Sequence, residues 1–559
     1  MRDIEGALYT VYSYHDATKH HFQRSARSLG YMDWANQPRP FLRFSGAPTV
    51  VLPRLNLENP PTWDALLADR LEPREVSAET IGQLFYNSLA VSAWKQVVSP
   101  EGTVLSRWAL RVNPSSGNLH PTEAYLIIGA VEGVADTPGV YHYSADEHLL
   151  EQRARMTVDS VRPPLDALPE GSFLLGLTSI QWREIWKYGE RAYRYCQHDV
   201  GHAIAALALS ARLLGWRLRV ADEFSTEQIG HLLGTETRIG PEREHADCLL
   251  LVDTANQDQD RTDRQITDGM SDLANRLQWQ GVAEPLSREH QDWPRIDEVT
   301  KATHWPGDNR LLPGWPSSRH EAAAPDRQLS APGLIRSRRS AVALDGQTPL
   351  ERRDFERLLM SLLPSGDVRP DGSPGVQFPF DALSWRPELS LALFVHRVTD
   401  LEPGLYVLQR DASHADSLRA EMREEFVWRR PEDSPPELPL FLLAPGDYRE
   451  HARQLSCQQA IAAEGAFSAG MLARFELPLA QKGAGMYPRL FWEAGVIGQM
   501  LYNEAEAAGV RGTGIGCYYD DEFHRLLGLD GHSWQSLYHF TVGGAVEDER
   551  LQTSPAYDD

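Results

Sequence analysis

The sequence predicts an α+β fold built from two tandem copies of one unit, each with a long buried helix. Three observations lead there. Under a shift of 294 positions, Tyr193 falls on Tyr487, Gly201 on Gly495, Gly215 on Gly509, and Leu232-Leu233-Gly234 on Leu526-Leu527-Gly528, with no gap across the window. The stretches HAIAALALSARLLG (202–215) and GVIGQMLYNEAEAAG (495–509) are apolar nearly all round and end at glycine, as buried helices with a left-handed cap do. Between the copies, from about Asp253 to Gly333, runs a polar stretch bearing proline and glycine with little sustained periodicity.

The remaining elements follow from short apolar runs. Glu123–Ala130 and Leu389–Val395 predict buried strands, and Leu249–Val252 and His539–Val542 predict the closing strand of each copy. GVYHY at 139–143 answers GLYVL at 404–408 with a shift of 265. The expected division is an N-terminal extension over 1–80 packed on the first domain, a first domain over 81–255, a linker over 256–330 with a short helix near Met270–Leu277, and a second domain over 331–559.

Composition excludes several classes. With 55 Lys and Arg against 78 Asp and Glu, the net charge of −23 repels nucleic acid and anionic membrane. No apolar run reaches the length of a membrane span, and the N-terminus lacks a signal-peptide pattern. Cys196, Cys248, Cys457 and Cys517 form no C-x-x-C pair, so neither a disulfide framework nor a zinc ribbon is expected, and a reducing cytoplasm is the simplest compartment.

Five groups of residues could carry chemistry. Arg338-Arg339-Ser340 offers two guanidiniums and a hydroxyl, a donor set suited to a phosphate dianion; the alternative is a solvated basic stretch. Pro114-Ser115-Ser116-Gly117-Asn118, with Arg111 just upstream, is either a tight turn or a cradle of small residues and amides for a flat ring. Gly512-Thr513-Gly514-Ile515-Gly516 lacks the spacing of a dinucleotide fingerprint and follows a helix instead of opening one. Lys187 and Tyr188 can take or relay a proton, or lie on a helix surface. His198 and His202 share a helix face, but no acidic third ligand accompanies them and no metal is expected.

RVNPSSGNLHPTEAY (111–125) and WKYGERAYRYCQHDVGHA (186–203) resemble the SagB-type azoline-dehydrogenase branch of the nitroreductase superfamily, as do YHDATKH and DWANQP near the start. RSRRSAVAL (336–344) and GTGIGCYYDDEFHRLLGLDG (512–531) look like nitroreductase elements too. The resemblance implies domains with a central, mostly antiparallel sheet flanked by helices, paired within the chain as a pseudo-dimer that can be monomeric. It implies FMN, held by Arg111, Pro114, Ser115, Ser116, Gly117, Asn118, Arg338, Arg339, Ser340, Gly514, Ile515 and Gly516, with Lys187 and Tyr188 removing a proton as substrate is oxidised. The substrate is a small molecule or a modified peptide. NAD(P)H-dependent reduction of a nitro compound or quinone, and a flavin-binding scaffold without turnover, are the alternatives.

The copies are complementary in what they lack. The first has PSSGN, but its counterpart of the clamp reads TWDALLAD and its counterpart of GTGIG reads RVADE; the second has the clamp and GTGIG, but opposite PSSGN it reads FDALSW. One composite flavin site and one abolished site are therefore expected.

Overall fold

A computed structural model describes residues 2–557 except 55–56, 58, 69–70, 100–101, 137, 157–167, 169–170, 255–262, 308–327, 369–373 and 549. Each half is built on an antiparallel sheet. In the first, the central strands run in the spatial order Leu149–Met156, Gly139–Ser144, Thr122–Ile128, Phe173–Ser179, His245–Asp253, Arg217–Val220. In the second the order is Leu440–Pro445, Gly404–Leu408, Leu389–Val395, Phe467–Arg474, Trp534–Gly543, Arg511–Ile515. The two orders correspond strand for strand. The strands expected to close each copy come last of the six in sequence but lie one in from the edge, beside Arg217–Val220 and Arg511–Ile515.

The predicted helices are longer than their apolar runs, Ala192–Leu213 and Met486–Ala507, and each is buried along almost its whole length. Gly215 and Gly509 follow them at φ of 74° and 71°, where a β-carbon would be strained. These two helices pack on each other, and the shift of 294 shows why. Gly201 and Gly495, equivalent positions, meet at the crossing. A β-carbon on Gly201 would stand 2.2 Å from the Trp492 carbonyl oxygen, and one on Gly495 would stand 2.4 Å from that of His198, itself equivalent to Trp492. Equivalent residues contacting each other are the signature of a two-fold interface, here inside one chain. Because backbone, not a flexible side chain, fills the space, Gly201→Ala is expected to cost about 1–3 kcal/mol, read as a lowered midpoint in denaturant unfolding.

The same symmetry pairs the segments before two short helices: the Trp63 amide donates to Leu329 O (2.8 Å) and the Ala331 amide to Pro61 O (2.9 Å). One apolar core runs through both halves, and a satellite cluster covers the far face of each sheet, around Leu174, Phe224 and Leu249 in the first and Phe394, Leu443 and Phe523 in the second. The C-terminal strand Leu551–Ser554 returns to the first half and joins Val91–Val98 and Val104–Arg111 in a three-stranded sheet.

Two segments differ from expectation. The helix Arg2–Ala17 of the N-terminal extension packs on both halves and not on the first alone. Tyr14 donates to Glu190 O (2.6 Å), while His15 bonds Tyr487 (3.2 Å) and Gln535 (3.0 Å). Within the stretch expected as linker, Leu277–Trp279 extends the first sheet, Val282–Ala283 pairs with Phe44–Ser45, and the helix Pro294–Ala302 is buried on one side. The short helix expected near 270–277 runs from Asp263 to Ala274. Strands of two or three residues carry too little alternation to be seen in sequence. Among the described residues no helix is long and apolar enough to cross a membrane.

Candidate active site

A cavity of about 550 Å³ opens between the halves, within the size range of small-molecule sites. Arg111, Pro114, Ser115, Ser116, Gly117, Asn118, Tyr188, Arg338, Arg339, Ser340, Gly514, Ile515 and Gly516 all line it. Lys187 does not; its Nζ and the Tyr188 hydroxyl lie over Gly117, where a β-carbon would come within 2.9 Å and 2.7 Å of them. Gly117 has φ of 58°, so glycine serves here both the backbone and the close approach.

The 111–120 segment is a turn and a wall at once. Ser116–Asn118 form a single 3-10 turn, the His120 amide donates to Ser115 Oγ (2.7 Å), and the Asn118 amide to Ser115 O (3.1 Å). The Ser116 amide donates to Asp199 Oδ1 (3.1 Å). Fewer amides are therefore open to a ligand than a cradle would offer, because the loop uses them to hold its own shape. Arg111 is buried and donates to Pro40 O (2.6 Å), which makes it first a brace for the loop.

Arg338 closes the site from the other half. Its Nε donates to Val112 O and its Nη2 to Arg111 O, both at 2.9 Å, and its guanidinium lies 5.0 Å from the Tyr502 ring. Arg339 donates to Ser92 Oγ (3.2 Å) and Arg336 O (2.9 Å). Arg511 pairs with Glu506 (2.5 Å), but among the described residues no carboxylate forms an ion pair with Arg338 or Arg339. Burial, then the neighbouring Arg338 and Arg511 cations, push Arg339 down to about 10. Glu506, already paired with Arg511, is the carboxylate that acts on both guanidiniums without forming an ion pair with either, so the cluster keeps an excess of positive charge that a dianion would offset. Ser340 adds a hydroxyl that donates to Tyr502 (3.0 Å), and Ala341 pairs with Gly512 (3.0 Å), so the clamp lies along the sheet edge.

The glycines of 512–516 make room for rings. A β-carbon at Gly514 would fall 1.9 Å from the Tyr538 hydroxyl, and one at Gly516 would fall 2.0 Å from Tyr195. His198 stacks on Tyr538 (4.2 Å) and bonds Leu537 O (3.0 Å), while His202 bonds the Tyr538 hydroxyl (3.2 Å).

Tyr195 and Asp199, on the helix face that also carries His202, are cavity residues that the sequence alone did not single out. The i, i+4, i+7 spacing of the three marks one helix face and was the available signal. Asp199 is buried with Oδ2 unpartnered, and burial pushes its carboxyl up to about 7 against hydrogen bonds from Ser115 and Ser116. Glu184 is buried with both oxygens unpartnered, and burial, then the Asp199 charge, raise it well above its usual range. Burial first, then Glu184, also raise Tyr188, so its hydroxyl stays protonated and can donate.

At the symmetry-related position the space is filled. Tyr195 and Gly516 become Arg489 and Asp222 under the shift of 294, and Arg489 Nε donates to Asp222 Oδ1 (3.1 Å). Trp305 lies over that guanidinium at 3.7 Å and donates its indole N–H to Asp222 O (2.7 Å), and Ser384 bonds the same aspartate. A cavity of only about 50 Å³ is left.

Comparison with known proteins agrees with this architecture. The Nitroreductase family model matches residues 410–544. That region is a nitroreductase-family domain. A solved structure described as a candidate nitroreductase from Anabaena variabilis is 20% identical, covers 96% of this chain and 99% of its own, and superposes with a TM-score of 0.65. The nitroreductase-like fold therefore extends over both halves. The trifolitoxin-processing protein TfxB of Rhizobium leguminosarum bv. trifolii is 32% identical over 125 residues, 21% of this chain. The matched stretch spans about a third of TfxB, 32% of its length. The half that contains this match supplies the arginine clamp's edge strand, and the other half supplies the 111–118 loop.

Proposed function

We propose that this chain is an FMN-dependent oxidoreductase of the SagB type, a tandem duplication holding one FMN between its halves and oxidising its substrate, with azoline rings in a peptide as the first candidate class. The observation that carries the reading is a composite cavity in which Arg338 and Arg339 of one half, with no carboxylate in an ion pair with them among the described residues, close over the 111–118 loop of the other. Arg338, Arg339 and Ser340 would hold the phosphate, and the loop, Tyr195 and Gly514–Gly516 would border the ring. Bound there, FMN would supply two-electron chemistry. The protein's part is to orient substrate and move a proton, roles we assign to Lys187 and Tyr188 over Gly117 and to Asp199 beside Ser116. The likeness to a toxin-processing protein supports a peptide substrate. The domain boundaries near 80, 255 and 330 belong to the same proposal.

Anaerobic mixing of the flavin-loaded protein with NADPH tests the direction of electron flow. The expected result is that the yellow colour persists for minutes, while an azoline peptide bleaches it. Prompt bleaching by NADPH would favour a nitro or quinone reductase instead.

A further inference from the structure

Two thiols from separate segments of the nitroreductase-family half meet at the cavity wall. Cys517 follows Gly516 and lines the cavity. The Tyr519 amide donates to Leu455 O (2.8 Å), and Gln459 Nε2 donates to both Ser456 O (2.8 Å) and Cys517 O (3.0 Å). These bonds fasten the 455–459 loop to the segment after the edge strand. Cys457 and Gln458 sit at φ of 53° and 63°, a left-handed pair without glycine, so the loop is held in a shape that local preference disfavours. In that shape the bonds from Gln459 and Tyr519 bring Cys457 alongside Cys517.

The surroundings favour a thiolate on Cys517. The Cys457 thiol, then His20 and the Arg191 charge, hold Cys517 down to about 5 against its burial. The His20 contact has a defined polarity: the Ala26 amide donates to His20 Nδ1 (3.0 Å), so the neutral ring keeps its proton on Nε2, free to donate to sulfur. Arg191 Nε donates to Gly516 O (3.2 Å) beside it. The two remaining cysteines contrast with this pair. Cys196 and Cys248 are fully buried, and burial raises both thiols, which makes them inert.

We propose that Cys457 and Cys517 form a peroxide-reactive modification site, a nucleophilic thiolate with its resolving partner. The Cys517 thiolate attacks one oxygen of hydrogen peroxide; the O–O bond breaks, a proton from solvent completes one water, and Cys517 becomes the sulfenic acid. Cys457 sulfur then attacks that sulfur; the S–O bond breaks, the Cys457 proton leaves with the second water, and a disulfide closes. Two thiols are oxidised and one peroxide is reduced to two waters. The proposal does not depend on the flavin reading.

The test uses the full chain, stripped of any flavin and freshly reduced, exposed to a small excess of hydrogen peroxide. It is then unfolded, alkylated and weighed. Two of the four thiols are expected to escape alkylation, with residues 457 and 517 joined in one proteolytic fragment. In Cys457→Ser, Cys517 is expected to accumulate as a sulfenic acid trapped by a 1,3-dione. In Cys517→Ser, Cys457 is expected to remain a thiol under the same exposure. Four alkylatable thiols after treatment, or Cys457 lost as fast in Cys517→Ser as in the parent, would overturn the proposal.

Discussion

Replacing Arg338 with alanine is expected to weaken FMN binding about 100-fold, the loss of ~3 kcal/mol when two charge-assisted hydrogen bonds go. The change should show as a raised Kd in flavin-fluorescence quenching. Arg338 is buried, contributes a charge with no carboxylate in an ion pair with it among the described residues, and ties the clamp to the loop through Arg111 O and Val112 O. Those two carbonyls lose their donor in the alanine variant, so thermal stability falls as well. Arg338→Lys separates the effects. It keeps the charge but not the planar fork, and binding is expected to weaken by about tenfold. Unchanged affinity in both variants would remove Arg338 from the site.

Lys187→Ala is expected to lower turnover by about 100-fold or more, the range for a lost proton-transfer group, with flavin content unchanged. The pattern follows from position: Lys187 lies over Gly117 and off the cavity lining, away from the clamp. Tyr188→Phe tests the donor that burial keeps protonated. Asp199 adds a pH signature, because its carboxyl is pushed up to about 7. Ionisation there puts a negative charge on the cavity wall, and a step in the bound flavin's absorption spectrum is expected near pH 7, absent in Asp199→Asn. If Lys187→Ala altered stability alone, the chain would be a scaffold that holds flavin without turnover.

Much of the architecture was legible because it rests on periodicity and repetition. The shift of 294 located two helices, and the structure adds that equivalent glycines touch, which only a two-fold contact demands of both. The clamp and the loop were legible as residue types suited to a phosphate and a ring. Other features depended on folding together distant segments. The plug at the second position combines Trp305, Arg489 and Asp222 from three segments, each an ordinary residue in its local context. Asp199 is an ordinary polar helix residue in its local context, and only the loop folded over it leaves one buried oxygen without a partner. The amides of 116–120 illustrate the opposite case: a run that reads as open donors is occupied with its own turn and with Asp199.

The central claim is one flavin per chain, held between halves that are alike in fold and unlike at their two symmetry-related positions. Titrating flavin-free protein with FMN by calorimetry, at protein concentrations well above the Kd, counts the sites. One FMN per chain is the predicted stoichiometry. Two per chain would contradict the plugged position around Arg489 and Asp222, and none would contradict the flavin reading altogether.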